Sequence, residues 1–328
     1  MVQVVTMGEL LIDFSFTSNS KRGYPLYEAN PGGAPANVAI GVRRLGAGSA
    51  FIGKIGGDAL SAMLRRTLEE NGVGTRGLVT DPARNVALAM VSLDEKGDRS
   101  FNFYRKGAAD VNMTAGEVDT ALIASAKAFH FGSVALTDEP SRSAVRFAAK
   151  TAREKGVLVS YDPNYRPLLW ESESAAVAEM KAALPLCDVL KVSEEELALL
   201  SGESEIDAGM RRLLGEYGMG LIFATLGAKG CRWLFRAADG MVEAGGAEVY
   251  DVKTVDTNGA GDSFIAAALY SMVCTGDGRE ALTARRVAEA ADFASAASSL
   301  ATAVTGAIPA MPTLGQVEAL RGRGRRMR

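Results

Sequence analysis

Runs rich in valine, isoleucine and phenylalanine alternate with alanine-rich stretches of helical period along most of this 328-residue chain, and that alternation admits few folds. Strands are predicted at VQVVTMG (2–8), SAFIGKIG (49–56), KAFHFGS (127–133), VLVSYDP (157–163), DVLKVS (188–193) and LIFATLG (221–227). Helices fall between and after them, at ANVAIGVRRLG (36–46), ALSAMLRRTLEENG (59–72), SRSAVRFAAKTAREKG (141–156) and FIAAALYSMV (264–273). The pattern is that of an α/β protein: one doubly wound, Rossmann-like, mostly parallel sheet flanked by helices. In such sheets ligands gather beyond the carboxyl ends of the strands, so chemistry is to be sought in the loops that follow them.

Two segments interrupt the alternation, residues 14–31 and 85–107. The second reads NVALAMVSLDEKGDRSFNFYRKG, with alternating residues and an EKGD turn at 95–98 that suggest a hairpin. With no helix after it, this hairpin cannot extend the parallel sheet as a βαβ unit. It is either an edge hairpin or a small β lid over the site. No internal repeat or linker divides the chain, so residues 1–328 are read as one domain with these two segments as its appendage.

Hydrophobic residues make up 48% of the chain, enough for a sizeable core. The net charge is −3, and setting aside the five arginines of RGRGRRMR (321–328) leaves −8, which argues against nucleic acid as a partner. That tail is expected to be frayed and solvated. Cys187, Cys231 and Cys274 are odd in number, far apart and set among apolar residues, as expected of buried thiols in a reducing compartment. No stretch approaches a membrane span, and MVQVVTMGELLIDF lacks the pattern of a secretory leader. A cytoplasmic protein is expected.

Absences narrow the chemistry. His130 is the only histidine and sits between two phenylalanines, so multi-histidine metal sites and HExxH chemistry are excluded. No GxSxG elbow accompanies it. Neither GxxxxGK[ST] nor a GxGxxG running from strand into helix occurs.

What stands out is VDTNGAGDSF (255–264). An Asp before an apolar helical run is ordinarily a helix cap, and that explains Asp262 alone. Gly259 and Gly261 remove side chains where backbone would approach a ligand, just before a helix whose first amides attract anions. Together they describe a phosphate cradle. A carboxylate there must be neutralised, or must take a proton from the nucleophile that attacks the phosphorus.

Beside PGGAPANVAIGVRRLG (31–46), this segment resembles the second of two signatures of the ribokinase-like carbohydrate kinases, the PfkB family. RSFNFYRKGAADVNM, FHFGSVAL, SYDPNYRPLLW, DVLKVSEEEL and TLGAKGCRWLF, in order and spacing, are similar to its fructokinase branch. The resemblance spans nearly the whole chain. It implies a ribokinase-like α/β core with a β-sheet lid, and an ATP-dependent sugar kinase acting on fructose, with Mg2+ and in many relatives K+ as cofactors. A 2-keto-3-deoxygluconate, ribose or nucleoside kinase of the same family, and a non-catalytic sugar-binding protein, remain open alternatives.

Carried over residue by residue, the resemblance makes Asp262 the base that deprotonates the sugar hydroxyl. The amides of Gly259, Ala260 and Gly261 become an anion hole, built from backbone and needing no lysine. Asn258 stands where threonine or valine is more usual. Asp13, Gly32, Gly33 and Asn37 would hold the sugar, with Arg105 closing over it from the lid; an ordinary turn and a solvated hairpin charge are the competing structural readings of Gly32–Gly33 and Arg105. Arg166 would grip phosphate oxygens, its loop ordered by Asp162 and Asn164, with Asn164 also toward the nucleotide. Thr225, Gly227 and Gly230 would lie along the nucleotide, unless their loop is a plain hairpin turn, and the adenine would lie near 290–306. Glu196 would act on Mg2+ only indirectly, since Ser193 replaces the usual amide and SEEEL also reads as a capping box. Asp256 would help hold a monovalent cation or make an Asx turn. A dimer through the lid is also implied.

Overall fold

The structure, a computed structural model, describes residues 1–93, 99–275 and 282–324. Its strands are β1 (Val4–Met7), β2 (Leu11–Asn19), β3 (Pro25–Gly32), β4 (Ser49–Gly56), β5 (Gly74–Asp81), β6 (Ala87–Leu93), β7 (Arg99–Tyr104), β8 (Ala128–Gly132), β9 (Leu158–Asp162), β10 (Val189–Ser193), β11 (Leu221–Thr225), β12 (Cys231–Arg236) and β13 (Val242–Ala247). The α-helices are α1 (Ala34–Arg44), α2 (Ala59–Glu70), α3 (Thr120–Ala124), α4 (Ser141–Glu154), α5 (Glu173–Ala183), α6 (Glu194–Ser201), α7 (Ile206–Tyr217), α8 (Ala260–Leu269), α9 (Ala284–Ala301), α10 (Ala307–Ala310) and α11 (Leu314–Arg323).

Nine strands form one sheet in the order β13-β12-β11-β10-β9-β8-β1-β4-β5. It is parallel from β11 to β5, while β12 and β13 add on antiparallel. Strands covered on both faces must be apolar on both, and β1, β4, β8 and β9 are buried at every position. The order reverses at β1: β4 and β5 lie on one side of it, and the chain then returns to place β8 on the other. The crevice beyond Met7 and Gly132 is therefore the topological switch point.

A second sheet, of order β3-β2-β6-β7, accounts for both irregular segments. Burial falls along β2 from Leu11 to Asn19 and rises along β3 from Pro25 to Gly32, so one end of this sheet sits on the body and the other stands in solvent. β6 and β7 pair antiparallel, and the EKGD turn expected at 95–98 lies outside the described residues. β2 and β6 are joined in parallel, so the hairpin does not edge the main sheet. Asp58 anchors this sheet to the core: one oxygen caps α2 at Ser61 N (2.8 Å) and the other accepts from Val86 N (2.8 Å), the residue before β6.

His130 is a buried core residue: its Nδ1 lies 3.0 Å from Ser160 Oγ, and burial holds its pKa down to about 4. Cys187 and Cys231 are buried thiols as expected, but Cys274 is only partly covered. The tail is not frayed throughout: Arg321 and Arg323 end α11, and Arg321 Nε donates to Asp292 at 3.0 Å. Positions 325–328 lie outside the described residues. Among the described residues no helix is long and apolar enough to cross a membrane.

Candidate active site

Two helices bring the ends of the chain together. On α1, Gly41 lies so close to Ala266 of α8 that a Cβ at 41 would stand 2.8 Å from the alanine methyl. One turn earlier on each helix, the same face carries Asn37 and Asp262, and Asn37 Nδ2 donates to Asp262 Oδ2 at 2.8 Å. Asp262 is half-buried in the first turn of α8, and burial first of all lifts its pKa to about 6. The Asn37 amide, Lys191 and Arg166 oppose that rise, and the Asp162 carboxylate adds to it.

The helix mouth is open, with Thr257 and Asn258 exposed and residues 259–262 partly so. Ala260 N–H closes a turn on Thr257 O at 3.3 Å, so its amide is not free as expected. Ser263 N–H is taken by Gly259 O (2.8 Å), whereas the amides of Gly259, Gly261 and Asp262 donate to no acceptor among the described residues. The glycines answer to the protein before any ligand. Gly259 has φ +77°, and a Cβ there would lie 2.8 Å from Ala307 Cα; a Cβ at Gly261 would lie 2.9 Å from Lys191 Nζ. A lysine thus stands behind the hole that was expected to need none. Its ammonium donates to Asp162 Oδ2 at 2.8 Å, and both residues are buried.

Asp13 sits on β2 at the near end of the second sheet, half-buried, with burial raising its pKa to about 6 and Arg166 opposing. Its Oδ2 would lie 2.5 Å from a Cβ at Gly32, so a side chain at 32 would displace the Asp13 carboxylate. Gly33 caps α1 with φ +123°, and a Cβ there would meet Glu9 O at 2.4 Å. Arg166 is exposed and donates to the carbonyls of Asn164 (3.4 Å) and Tyr165 (3.1 Å); its charge is felt at both Asp13 and Asp262. Asn164 holds a left-handed φ of +45°, its amide donating to Asp162 Oδ1 at 3.1 Å. Asp13, Asn37, Asp262 and Arg166 thus surround one place.

Other expected residues are held differently. Arg105 is buried rather than solvated, donating from Nε to Asp110 Oδ2 (2.7 Å) and from Nη1 to Thr137 Oγ1 (2.6 Å). Its Nη2 is buried without a hydrogen-bond partner among the described residues. Glu196 gives both oxygens to backbone amides, Tyr165 N (2.7 Å) and Ser193 N (2.8 Å), the capping-box geometry that SEEEL suggests. Asp256 accepts from Asn258 N and from Gly306 N, both at 3.0 Å, and so ties the 256–259 turn to the start of α10. Thr225 Oγ1 donates to Val192 O (3.2 Å), Gly227 is exposed with φ +56°, and Gly230 passes so close to Ala247 O that a Cβ would stand 2.2 Å away. Their loop is the antiparallel turn joining β11 to β12, at the carboxyl end of the sheet. Ser298 of α9 donates to Ala260 O at 3.0 Å, placing the 290–306 region against the helix mouth. No group of three acidic, cysteine or histidine residues among the described residues could hold a metal ion.

Two residues were missed from sequence. Lys191 is one. Glu9 is the other: 3% exposed, it accepts Ala34 N–H at Oε1 (3.0 Å) and so fixes the start of α1, while Oε2 has no hydrogen-bond partner among the described residues. Burial raises its pKa to about 7. The signal was a charged residue inside an apolar run, in VLKVS and GELLI, because a buried charge demands a partner or a function.

The sequence profile of the pfkB family carbohydrate kinases matches residues 1–314. The chain is 44% identical over 313 residues to fructokinase-2 of Solanum lycopersicum, covering 94% of this chain and 93% of the relative. It is 40% identical over 316 residues to fructokinase-1 of Zea mays, covering 96% of each. Among solved structures, the fructokinase of Xylella fastidiosa with bound ATP superposes with a TM-score of 0.90 at 32% identity, over 99% of both chains. The fructokinase of Vibrio cholerae O395 in a form with fructose, ADP and calcium gives 0.84 at 31% identity, over 98% of this chain and 99% of that one.

Proposed function

We propose that this chain, which belongs to the pfkB family of carbohydrate kinases, phosphorylates D-fructose on its 6-hydroxyl with MgATP as donor. The observation that carries the reading is a partly exposed carboxylate, Asp262, tied to Asn37 at 2.8 Å beside free amides at a helix mouth. The fructokinases of tomato and maize support the choice of sugar, and the ATP-bound and fructose–ADP-bound structures support both substrates.

In this reading Asp13 accepts from sugar hydroxyls, with the Gly32–Gly33 turn giving backbone close approach and Arg105 ordering the exit of the second sheet. Asp262, ionised above about pH 6, takes the proton of the acceptor hydroxyl. The sugar oxygen bonds to the γ-phosphorus, the bond to the β–γ bridging oxygen breaks and ADP leaves. Charge on the transferring group meets the amides of Gly259, Gly261 and Asp262 and the guanidinium of Arg166, which is free of any ion pair that would hold it back among the described residues. Thr225, Gly227, Gly230 and Asn164 border the nucleotide's place.

Magnesium comes with the nucleotide phosphates: Glu196 has both oxygens on amides, so it can act only through water. Asp256 likewise would serve a potassium ion only by holding the 256–259 turn to the start of α10, its carboxylate being bound to Asn258 N and Gly306 N. The second sheet acts as a lid that excludes water, since hydrolysis of ATP competes with transfer. Its edge strand β3 and the exposed Phe16, Leu26 and Tyr27 suit pairing with a second copy and so support a homodimer, and the three free thiols support a cytoplasmic setting.

A coupled ADP-release assay over fructose, glucose, ribose, 2-keto-3-deoxygluconate and adenosine tests the reading. Fructose is expected to give the highest kcat/KM; a higher value for another acceptor displaces it, and sugar binding without ADP release would make the protein a binding module.

A further inference from the structure

Lys191 is the middle residue of a buried parallel strand, 6% exposed, and its stem carries the ammonium up to the mouth of α8. There Nζ donates to Asp162 Oδ2 at 2.8 Å. Nζ and Cε would lie 2.9 Å and 3.6 Å from a Cβ at position 261, so the ammonium occupies the space that any side chain there would need. Buried ion pairs contribute little net stability compared with apolar residues of the same volume, so stability is a weak reason for this one. What distinguishes the pair is its location, with the ammonium against position 261, where the amides of Gly261 and Asp262 donate to no acceptor among the described residues.

We propose that Lys191 is a positioning residue for phosphoryl transfer: clamped by Asp162, it fixes a positive charge behind the amide hole and beside Asp262. Base and hole thereby form one preorganised field. The proposal rests on the reading of Asp262 as the base. Asp262 is faced by Asn37 from α1, by Asp162 from the end of β9, by Arg166 from the loop after β9 and by Lys191 from β10. Lys191 is faced in turn by Asp162, by Glu196 of α6 and by Asp262, while His130 on β8 feels both Asp162 and Lys191. Within that set Lys191 opposes, and Asp162 reinforces, the upward pull of burial on Asp262. Removing the lysine alone therefore acts twice, by taking away a cation and by leaving an unpaired carboxylate next to the base.

The test measures kcat, the fructose KM and the pH profile of kcat/KM for Lys191→Met, for the double variant Asp162→Asn/Lys191→Met, and for Asp262→Ala. Lys191→Met is expected to lower kcat by about 10²-fold, the loss typical of one oxyanion-stabilising group, with the fructose KM within about threefold of wild type. Its acid limb moves to higher pH. In the double variant the limb returns toward wild type because the orphaned carboxylate is gone, while kcat stays low because the charge behind the hole is still missing. A merely structural lysine would not produce that split. Should Lys191→Met alone be too unstable to assay, the double variant, which buries no unpaired charge, decides by its kcat. Wild-type kcat and an unmoved limb in the lysine variants, with Asp262→Ala inactive, overturn this proposal and leave the base reading standing. Retained turnover in Asp262→Ala overturns the base reading itself.

Discussion

Asn37 and Asp262 meet in a single 2.8 Å hydrogen bond, each one helical turn before the Gly41–Ala266 contact between α1 and α8. The bond favours the ionised carboxylate, so it works against the burial that raises the pKa of Asp262 to about 6. The wild-type kcat/KM is therefore expected to fall as pH drops through about 6, as the base takes up a proton. Asn37→Ala should move that limb upward by on the order of one pH unit, measured as a kcat/KM profile from pH 5 to 9. An unmoved limb would detach Asn37 from the base.

Asp13 should report on sugar affinity rather than on the chemical step. Asp13→Asn keeps the shape and removes the charge; the fructose KM is expected to rise about 10- to 100-fold, the worth of charge-assisted hydrogen bonds, with kcat changing far less. Because burial sets the Asp13 pKa at about 6, the wild-type KM should climb as pH falls below that value. In Asp13→Asn that climb should be absent. Steady-state kinetics at pH 5.5 and 8 settle both points.

Gly259 and Gly261 should fail in different ways. Alanine at 259 must adopt φ +77° and meet the Ala307 backbone at 2.8 Å, so Gly259→Ala is expected to lose about 1–3 kcal/mol of stability in denaturant titration. Alanine at 261 meets only the far end of a lysine, which can move aside. Gly261→Ala should keep its midpoint and lose turnover, because the displaced ammonium no longer sits behind the hole.

The same contrast shows what was legible in the sequence. Six of the seven parallel strands were read directly, because burial on both faces forces an unbroken apolar run, while the half-covered edge strand β5 (GTRGLVTD) was not. Asp262 stood out as an acid at a glycine-rich helix mouth, whereas Asn37 and Asp13 came from the family resemblance. The reason for the glycines was not legible. They were read as clearings for a ligand, yet Gly259 is required by the Ala307 backbone and Gly261 leaves room for the end of Lys191, residues 48 and 70 positions away along the chain. Arg105 looked like a solvated or sugar-closing charge because Asp110 and Thr137 become its neighbours only once the chain has left β7 and packed on the main body. Such pairings depend on tertiary contact, which no local pattern encodes.

Glu9 supplies a test that does not pass through activity. Its folded pKa is raised to about 7 by burial, so the stability associated with its neutral form is complete below the ordinary carboxylate pKa and is lost as pH rises through about 7. Glu9→Gln retains an oxygen for Ala34 N–H and cannot ionise. The variant is expected to unfold at or below the wild-type Tm at pH 5 and above it at pH 8, seen by calorimetry. A Tm difference independent of pH would show that Glu9 titrates normally.

The most direct measurement pairs ADP release with calorimetric fructose binding in Asp262→Ala. If the carboxylate strips the proton from the acceptor alcohol, kcat should fall by about 10³-fold or more while the fructose Kd stays within about threefold of wild type. Turnover within about tenfold of wild type would show that another group does the work, and the mechanism given for the helix mouth would be wrong.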